Sequence, residues 1–177
     1  LIEVDITRGN LNPLPIAVSP LSADKDSLIE FEKILKKKDL GSEISIIVEN
    51  NLKLSGLFNP LEKDAFLQKP EIAHLKPRFE DWSLIKAQAL ITGKVQIVEG
   101  KLRVEFRLWD VLAAKEMLAL AFTTVPTNWR RVGHIISDKI YERLTGEKGY
   151  FDTRIIYVAE EGPKTKRIKK LAIMDQD

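Results

Sequence analysis

The sequence predicts an α/β fold, and three observations carry that expectation. The runs Leu90–Val98, Leu102–Trp109 and Met117–Val125 read as consecutive strands. In the middle run Leu102, Val104, Phe106 and Leu108 alternate with Arg103, Glu105, Arg107 and Trp109, as expected for a sheet covered on one face. Apolar stripes at helical spacing stand at Leu28, Phe31, Ile34 and Leu35, at Ile44, Ile47, Val48 and Leu52, and at Val132, Ile135, Ile136, Ile140 and Leu144. A short apolar run, Ile16-Ala17-Val18, lies ahead of all three stripes between Pro15 and Pro20. It suits a buried strand, because proline cannot donate to a ladder and belongs at strand ends.

In chain order, Ile2, Val4 and Ile6 alternate with Glu3, Asp5 and Thr7, the period of a strand with one apolar and one acidic-polar face. Arg8-Gly9-Asn10-Leu11-Asn12-Pro13 breaks it before the Ile16 strand. The first helix is expected from Lys25 to Lys38, capped by Asp24, with Lys36 to Lys38 in its last turn opposite the negative end of the dipole. A second begins after Ser42 and ends at Gly56. Phe58-Asn59-Pro60-Leu61 is too short and proline-marked for a central strand, which leaves an edge strand or a turn. Lys63 to Arg78 is polar, carries Pro70 and Pro77, and reads as loop; Phe79 to Lys86 reads as a short helix around Trp82.

Glu99-Gly100 supplies a tight hairpin turn, and Val111 to Lys115 a looser one. Pro126-Thr127-Asn128 is expected to cap the last helix, closed by Gly146. Beyond Phe151, Arg154 to Glu160 and Arg167 to Asp175 read as two strands joined by Glu161-Gly162-Pro163-Lys164. A two-stranded hairpin is marginal alone, so the chain is expected to be cut short, with more β structure after Asp175-Gln176-Asp177. No internal repeat is present.

Composition bounds function by exclusion. A chain of 177 residues, 44% of them hydrophobic, buries one sizeable core or one core plus a short appendage. A net charge of +2 makes no broad commitment to nucleic acid or anionic membrane. The absence of cysteine excludes disulfides, thiol catalysis and the commonest structural zinc ligands, and leaves the redox compartment open. No apolar run approaches the roughly 20 residues that span a bilayer. Leu1-Ile2-Glu3-Val4-Asp5 has neither the basic nor the apolar region of a signal peptide. A cytoplasmic protein and a mature form whose signal was removed are both compatible with this.

Candidate chemistry is sparse. His74 in a loop and His134 on a helix face read as solvated surface histidines, neither at metal-ligand spacing. Asp110, at a strand end, is the one carboxylate worth testing as an acid or base, and reads as a turn former. Phosphate-cradle, dinucleotide, nucleophile-elbow and zinc-protease motifs are all absent, so catalytic, cofactor-binding and metal sites are expected to be none. Lys164-Thr165-Lys166-Arg167-Ile168-Lys169-Lys170 lacks the interleaved aromatics that stack on bases and reads as a solvated hairpin face. Trp129 and Arg130-Arg131 open the last helix against its dipole, which implies a neighbouring acidic segment. The remaining candidate is the N-terminal strand, which could pair in its own sheet or add to the open edge of a partner sheet.

Several landmarks, taken in order, resemble one family. They are the N-terminal alternating segment with Gly9, Pro15-Ile16-Ala17-Val18 with Pro20, Ser55-Gly56-Leu57-Phe58-Asn59-Pro60-Leu61, and Gly93. Leu144-Thr145-Gly146, Lys148-Gly149, Thr153-Arg154-Ile155 and Tyr157-Val158 complete the series. Together they resemble the N-terminal domain of the TolB family over nearly the whole chain. The segment Ser27 to Leu40 departs by looking longer than its counterpart, as an extra helical insertion would.

The resemblance implies a three-layer α/β domain over 1–150, with a mixed β-sheet flanked by helices, like an anticodon-binding domain. A short β-hairpin at 151–177 would be the first strands of a truncated C-terminal β-propeller. It implies a non-enzymatic, periplasmic adaptor of the Tol–Pal system, with no nucleic acid and no membrane insertion. The segment Leu1, Ile2, Glu3, Val4, Asp5, Ile6 and Thr7 would bind the TolA C-terminal domain, and the missing propeller the lipoprotein Pal. The alternative from the residues alone is a cytoplasmic nucleic-acid-binding module, suggested by the fold likeness and the Lys164–Lys170 run.

Overall fold

A computed structural model of the chain describes residues 1–7 and 12–152 with their side chains, and 154–161 and 168–175 as backbone strands. The first five strands are β1 (Leu14–Val18), β2 (Phe58–Pro60), β3 (Ala89–Val98), β4 (Lys101–Asp110) and β5 (Lys115–Thr124). They form one mixed sheet in the order β2-β1-β3-β4-β5. β1 runs parallel to both neighbours, and β3, β4 and β5 form an antiparallel meander. The helices are α1 (Lys25–Leu35), α2 (Leu40–Leu54), α3 (Pro70–Leu75), α4 (Phe79–Leu84) and α5 (Trp129–Thr145).

Three layers result, because the inner strands are apolar on both sides. Ile16, Val18, Ala89 and Ile91 join the larger core with Phe31 of α1, Ile44 and Val48 of α2, and Ile136 and Ile140 of α5. Their neighbours Ala17 and Leu90 point the other way, into a smaller core with Ala73 of α3 and Trp82 of α4. A strand buried on both faces reads as a continuous apolar run, which explains Ile16-Ala17-Val18. β2 is an edge strand, as its proline requires.

Local chemistry sets the boundaries. Asp24 caps α1, its Oδ1 accepting from the Ser27 amide at 2.8 Å. α1 ends at Leu35 because Lys36 takes a left-handed conformation (φ 58°), so Lys36 to Lys38 lie past the helix and Lys33 is the base in its last turn. The expected stripe is also narrower: Phe31 is buried and Ile34 exposed. Asp39 accepts from the Ser42 amide at 3.1 Å, starting α2 at Leu40 rather than after Ser42. Ser27–Leu40 packs into the core layer: Phe31 is fully buried and Ser27 Oγ accepts from the Ile97 amide of β3 at 3.2 Å.

Glu99 and Gly100 both have positive φ (52° and 76°), the geometry of a tight hairpin whose twist matches its strands. Residues 63–78 are not loop throughout. A 3₁₀ turn covers Lys63–Ala65, and α3 begins with Pro70 in its first turn, where a missing amide costs nothing. Gln68 orders this stretch: its Oε1 accepts from the Arg78 amide and from Trp82 Nε1, both at 3.0 Å. Asn128 does not cap α5 with its side chain, which instead donates to Thr124 Oγ1 at 3.0 Å; a 3₁₀ turn, Pro126–Asn128, leads into the helix. Strands β6 (Arg154–Glu161) and β7 (Ile168–Asp175) pair antiparallel as a separate two-stranded sheet. Residues 164–167 of the basic run lie outside the described residues.

Candidate functional site: the docked N-terminal segment

Residues 1–7 form no strand, contrary to their alternating pattern. A strand needs a ladder, and among the described residues the backbone of this segment meets a helix end instead: the Val4 amide donates to the Leu144 carbonyl of α5 at 2.8 Å. The chain then turns, with Asp5 Oδ1 accepting from the Thr7 amide at 2.9 Å and from Thr7 Oγ1 at 2.6 Å. The alternation survives in burial. Ile2 and Val4 pack on the larger core, while Leu1, Glu3, Asp5 and Thr7 face out; Ile6, at 39% exposure, ends the apolar row.

Two anchors are seen among the described residues. The last carbonyls of a helix have no partner inside it, so the Val4 amide meets a need of α5 as well as its own. The second anchor is Asp110, only 3% exposed at the end of β4. Its Oδ1 accepts from the Ala113 amide at 2.9 Å, the expected turn role, and its Oδ2 accepts from the Ile2 amide at 3.1 Å. Nothing in the sequence signals this second, long-range bond. Between Glu3–Thr7 and Arg143–Glu147 runs a polar cleft of about 430 Å³. Arg143 also donates through Nε to the Met117 carbonyl of β5 at 3.2 Å.

The polypeptide leaving α5 is tied to the same helix. Asp138 Oδ1 accepts from the Phe151 amide at 2.7 Å and Oδ2 from the Asp152 amide at 3.0 Å; Glu142 Oε1 accepts from the Gly149 amide at 3.2 Å. Gly149 lies so close that an added Cβ would sit 2.5 Å from Asp138 Oδ1. Arg131 reaches Asp152 at 3.0 Å, the acidic neighbour that the basic start of α5 implied, while Arg130 stacks over the Trp129 ring. Asp138 and Glu142 were not legible as ligands, because carboxylates on an exposed helix face are ordinarily solvated.

The histidines are not surface groups. His74 lies in α3 and His134 in α5, and both are buried. Each sits on the inner side of its helix, where packing rather than polarity decides. The His74 pKa is held below the usual histidine value by burial first and by the Arg107 charge second, with Glu105, 3.7 Å away, opposing. The His134 ring nitrogen Nδ1 meets the Asn51 amide group at 2.9 Å across the α2–α5 contact. Burial raises the Glu49 pKa against the pull of Lys63, whose Nζ lies 3.3 Å from Glu49 Oε1. None of these groups lines the N-terminal cleft. Among the described residues no cluster of acidic or histidine side chains could hold a metal, and no helix is long and apolar enough to cross a membrane.

The family model of the TolB amino-terminal domain matches residues 2–117, which takes in the docked segment from Ile2 onward and the sheet as far as β5. This chain belongs to that family. The Tol-Pal system protein TolB of Pelagibacter ubique (strain HTCC1062) is 82% identical over 177 residues, all of this chain and 40% of that protein. The crystal structure of TolB from Acinetobacter baumannii superposes with a TM-score of 0.66 at 24% identity, over 99% of this chain and 39% of the other. A PelC dodecamer structure from Paraburkholderia phytofirmans gives a TM-score of 0.45 at 16% identity, over 77% of this chain and 90% of its own. The chain thus spans about two fifths of the length of the TolB proteins it matches. The mixed sheet with helices on both faces is the TolB amino-terminal fold that the sequence landmarks implied.

Proposed function

We propose that this TolB-family chain is part of a non-enzymatic periplasmic adaptor of the Tol–Pal system. Residues Leu1 to Thr7 are its contact for the TolA C-terminal domain. Residues 151–177 begin a β-propeller that takes up Pal, so that the whole protein links the two and supports outer-membrane integrity and cell division. The observation that carries this reading is the tenuous docking of the segment. Among the described residues, long-range amide bonds from Ile2 and Val4 and the half-buried side chains of these two residues tie it to the domain, while its strand-like alternation goes unused in its own sheet. Released, Ile2, Val4 and Ile6 would present one apolar row and the backbone a full ladder to a partner edge. Docked and released forms are then two states whose ratio a partner shifts.

Calorimetric titration against a TolA C-terminal domain tests this, using the protein with and without Leu1 to Arg8. Binding is expected to vanish on deletion while the domain stays folded. Unchanged affinity in the deletion refutes the assignment.

A further inference from the structure

β5 is an outer strand of ten residues, as long as β4 beside it. Outer strands are usually blunted by shortness, proline or charge. The opposite edge follows that rule, since β2 has three residues and includes Pro60. β5 does not: after Lys115 and Glu116, the run from Met117 to Thr124 has neither a charge nor a proline. Arg143 occupies the Met117 carbonyl. From Leu118 on, no described residue pairs with the strand's outer side.

The two faces of β5 differ. Leu118, Leu120 and Phe122 stand opposite Leu108, Phe106 and Val104, so the larger core runs out to this edge, where Leu120 is still 38% exposed. On the other face Ala119, Ala121 and Thr123 stand opposite Arg107, Glu105 and Arg103. The small side chains leave a shallow recess of about 250 Å³ over Glu105 and Arg107. By register this face also holds Lys94, Lys101 and Glu116; Arg103 pairs with Glu105 and Arg107 with Glu116, each at 2.9 Å, so the surplus of positive charge on the strands rests on Lys101 and on Lys94, which also acts on the Asp24 carboxylate.

We propose that the free edge of β5 is a docking site for an extended segment of another protein whose side chains alternate apolar and acidic. Its backbone pairs with β5 as a sixth strand. Its apolar side chains cover Leu118, Leu120 and Phe122, and its carboxylates lie over Ala119 and Ala121, sharing Arg103 and Arg107 with Glu105 and Glu116. The positive excess selects this occupant over a second copy, since joining two copies along β5 sets two positively biased faces side by side. Here the sheet is the acceptor, so the inference stands apart from the N-terminal segment's role as donor.

The test uses the full-length protein and two labelled ten-residue peptides, one alternating valine with glutamate and one alternating valine with lysine. The glutamate peptide is expected to bind about tenfold more tightly at low ionic strength, with the difference shrinking as salt is added. It should slow amide exchange along β5. Ala121→Glu, at an exposed site that leaves the core intact, should weaken the glutamate peptide about tenfold and favour the lysine one. Equal binding of the two peptides, no binding, indifference to Ala121→Glu, or a concentration-dependent dimer that protects β5 each overturns the proposal.

Discussion

Asp110→Asn is the substitution that isolates the docking of the N-terminal segment. The aspartate bridges two amides, one from the turn after β4 and one from Ile2. Asparagine keeps one acceptor and turns the other into a donor, so whichever way the amide group flips, one of the two N–H groups faces a donor. Hydrogen bonds to a charged acceptor contribute about 1.5–3 kcal/mol. The Ile2 end is half-exposed, which places the loss near 2 kcal/mol, roughly a 30-fold fall in the docked-to-released ratio. The Val4–Leu144 bond and the packing of Ile2 and Val4 remain. Amide exchange at Val4 should therefore accelerate about 30-fold while β3 and β4 keep their protection. If docking holds back the proposed TolA contact, affinity for a TolA C-terminal domain should rise by up to the same factor. Unchanged exchange at Val4, equal loss of protection in the sheet, or weaker TolA binding would each refute the reasoning.

Stability should fall between pH 7 and 5.5 through His74: its folded-state pKa is depressed, so the unfolded chain binds the proton first, and the contribution is complete above the ordinary histidine value of about 6.5. Denaturant unfolding across that window should show a shallower pH slope in His74→Gln, and an identical slope would exclude His74 as the source. Gly93→Ala should cost about 1–3 kcal/mol in the same assay, because its Cβ would sit 2.5 Å from the Glu105 carbonyl and 2.6 Å from Leu21 Cδ2; wild-type stability would mean that β3 and β4 part freely there. Asp138→Ala leaves the Phe151 and Asp152 amides without their acceptor. At about 1–3 kcal/mol per buried unsatisfied group, limited proteolysis at residues 147–152 should quicken by an order of magnitude or more, with the sheet intact.

Much of the architecture could be read because its signals are local. β4 shows the alternation enforced by the large core on one face of the sheet, and Glu99-Gly100 names its own turn type. α5 carries a stripe long enough to be unmistakable, though Ile135 is only half-buried. α3 escaped because six residues give no period to detect. Pro70, taken as a loop signal, is there a first-turn helix residue, and Gln68 supplies the order that the composition did not suggest. The N-terminal segment shows the opposite failure. Its alternation is real, but period alone cannot say whether a neighbouring strand exists to pair with it. Asp110 was rightly singled out as a turn former, while its bond to Ile2, 108 residues away, belongs to the tertiary structure alone. The histidines were misplaced because their burial is decided by which side of the helix meets the sheet or a neighbouring helix, which the residues beside them in sequence do not state.

α5 receives both the incoming segment, at Leu144, and the outgoing one, at Asp138 and Glu142. These points lie six residues apart, about 9 Å along the axis. A pull between the two ends of the domain therefore enters and leaves through less than two turns of one helix. Drawn outward, residues 1–7 peel away one bond at a time, Ile2 and then Val4. β1, by contrast, is flanked on both sides by parallel partners, so the same pull would load its ladders in shear. The segment would thus act as a mechanical fuse, yielding under a tug that leaves the sheet untouched, and its seven residues would span roughly 23 Å once drawn out.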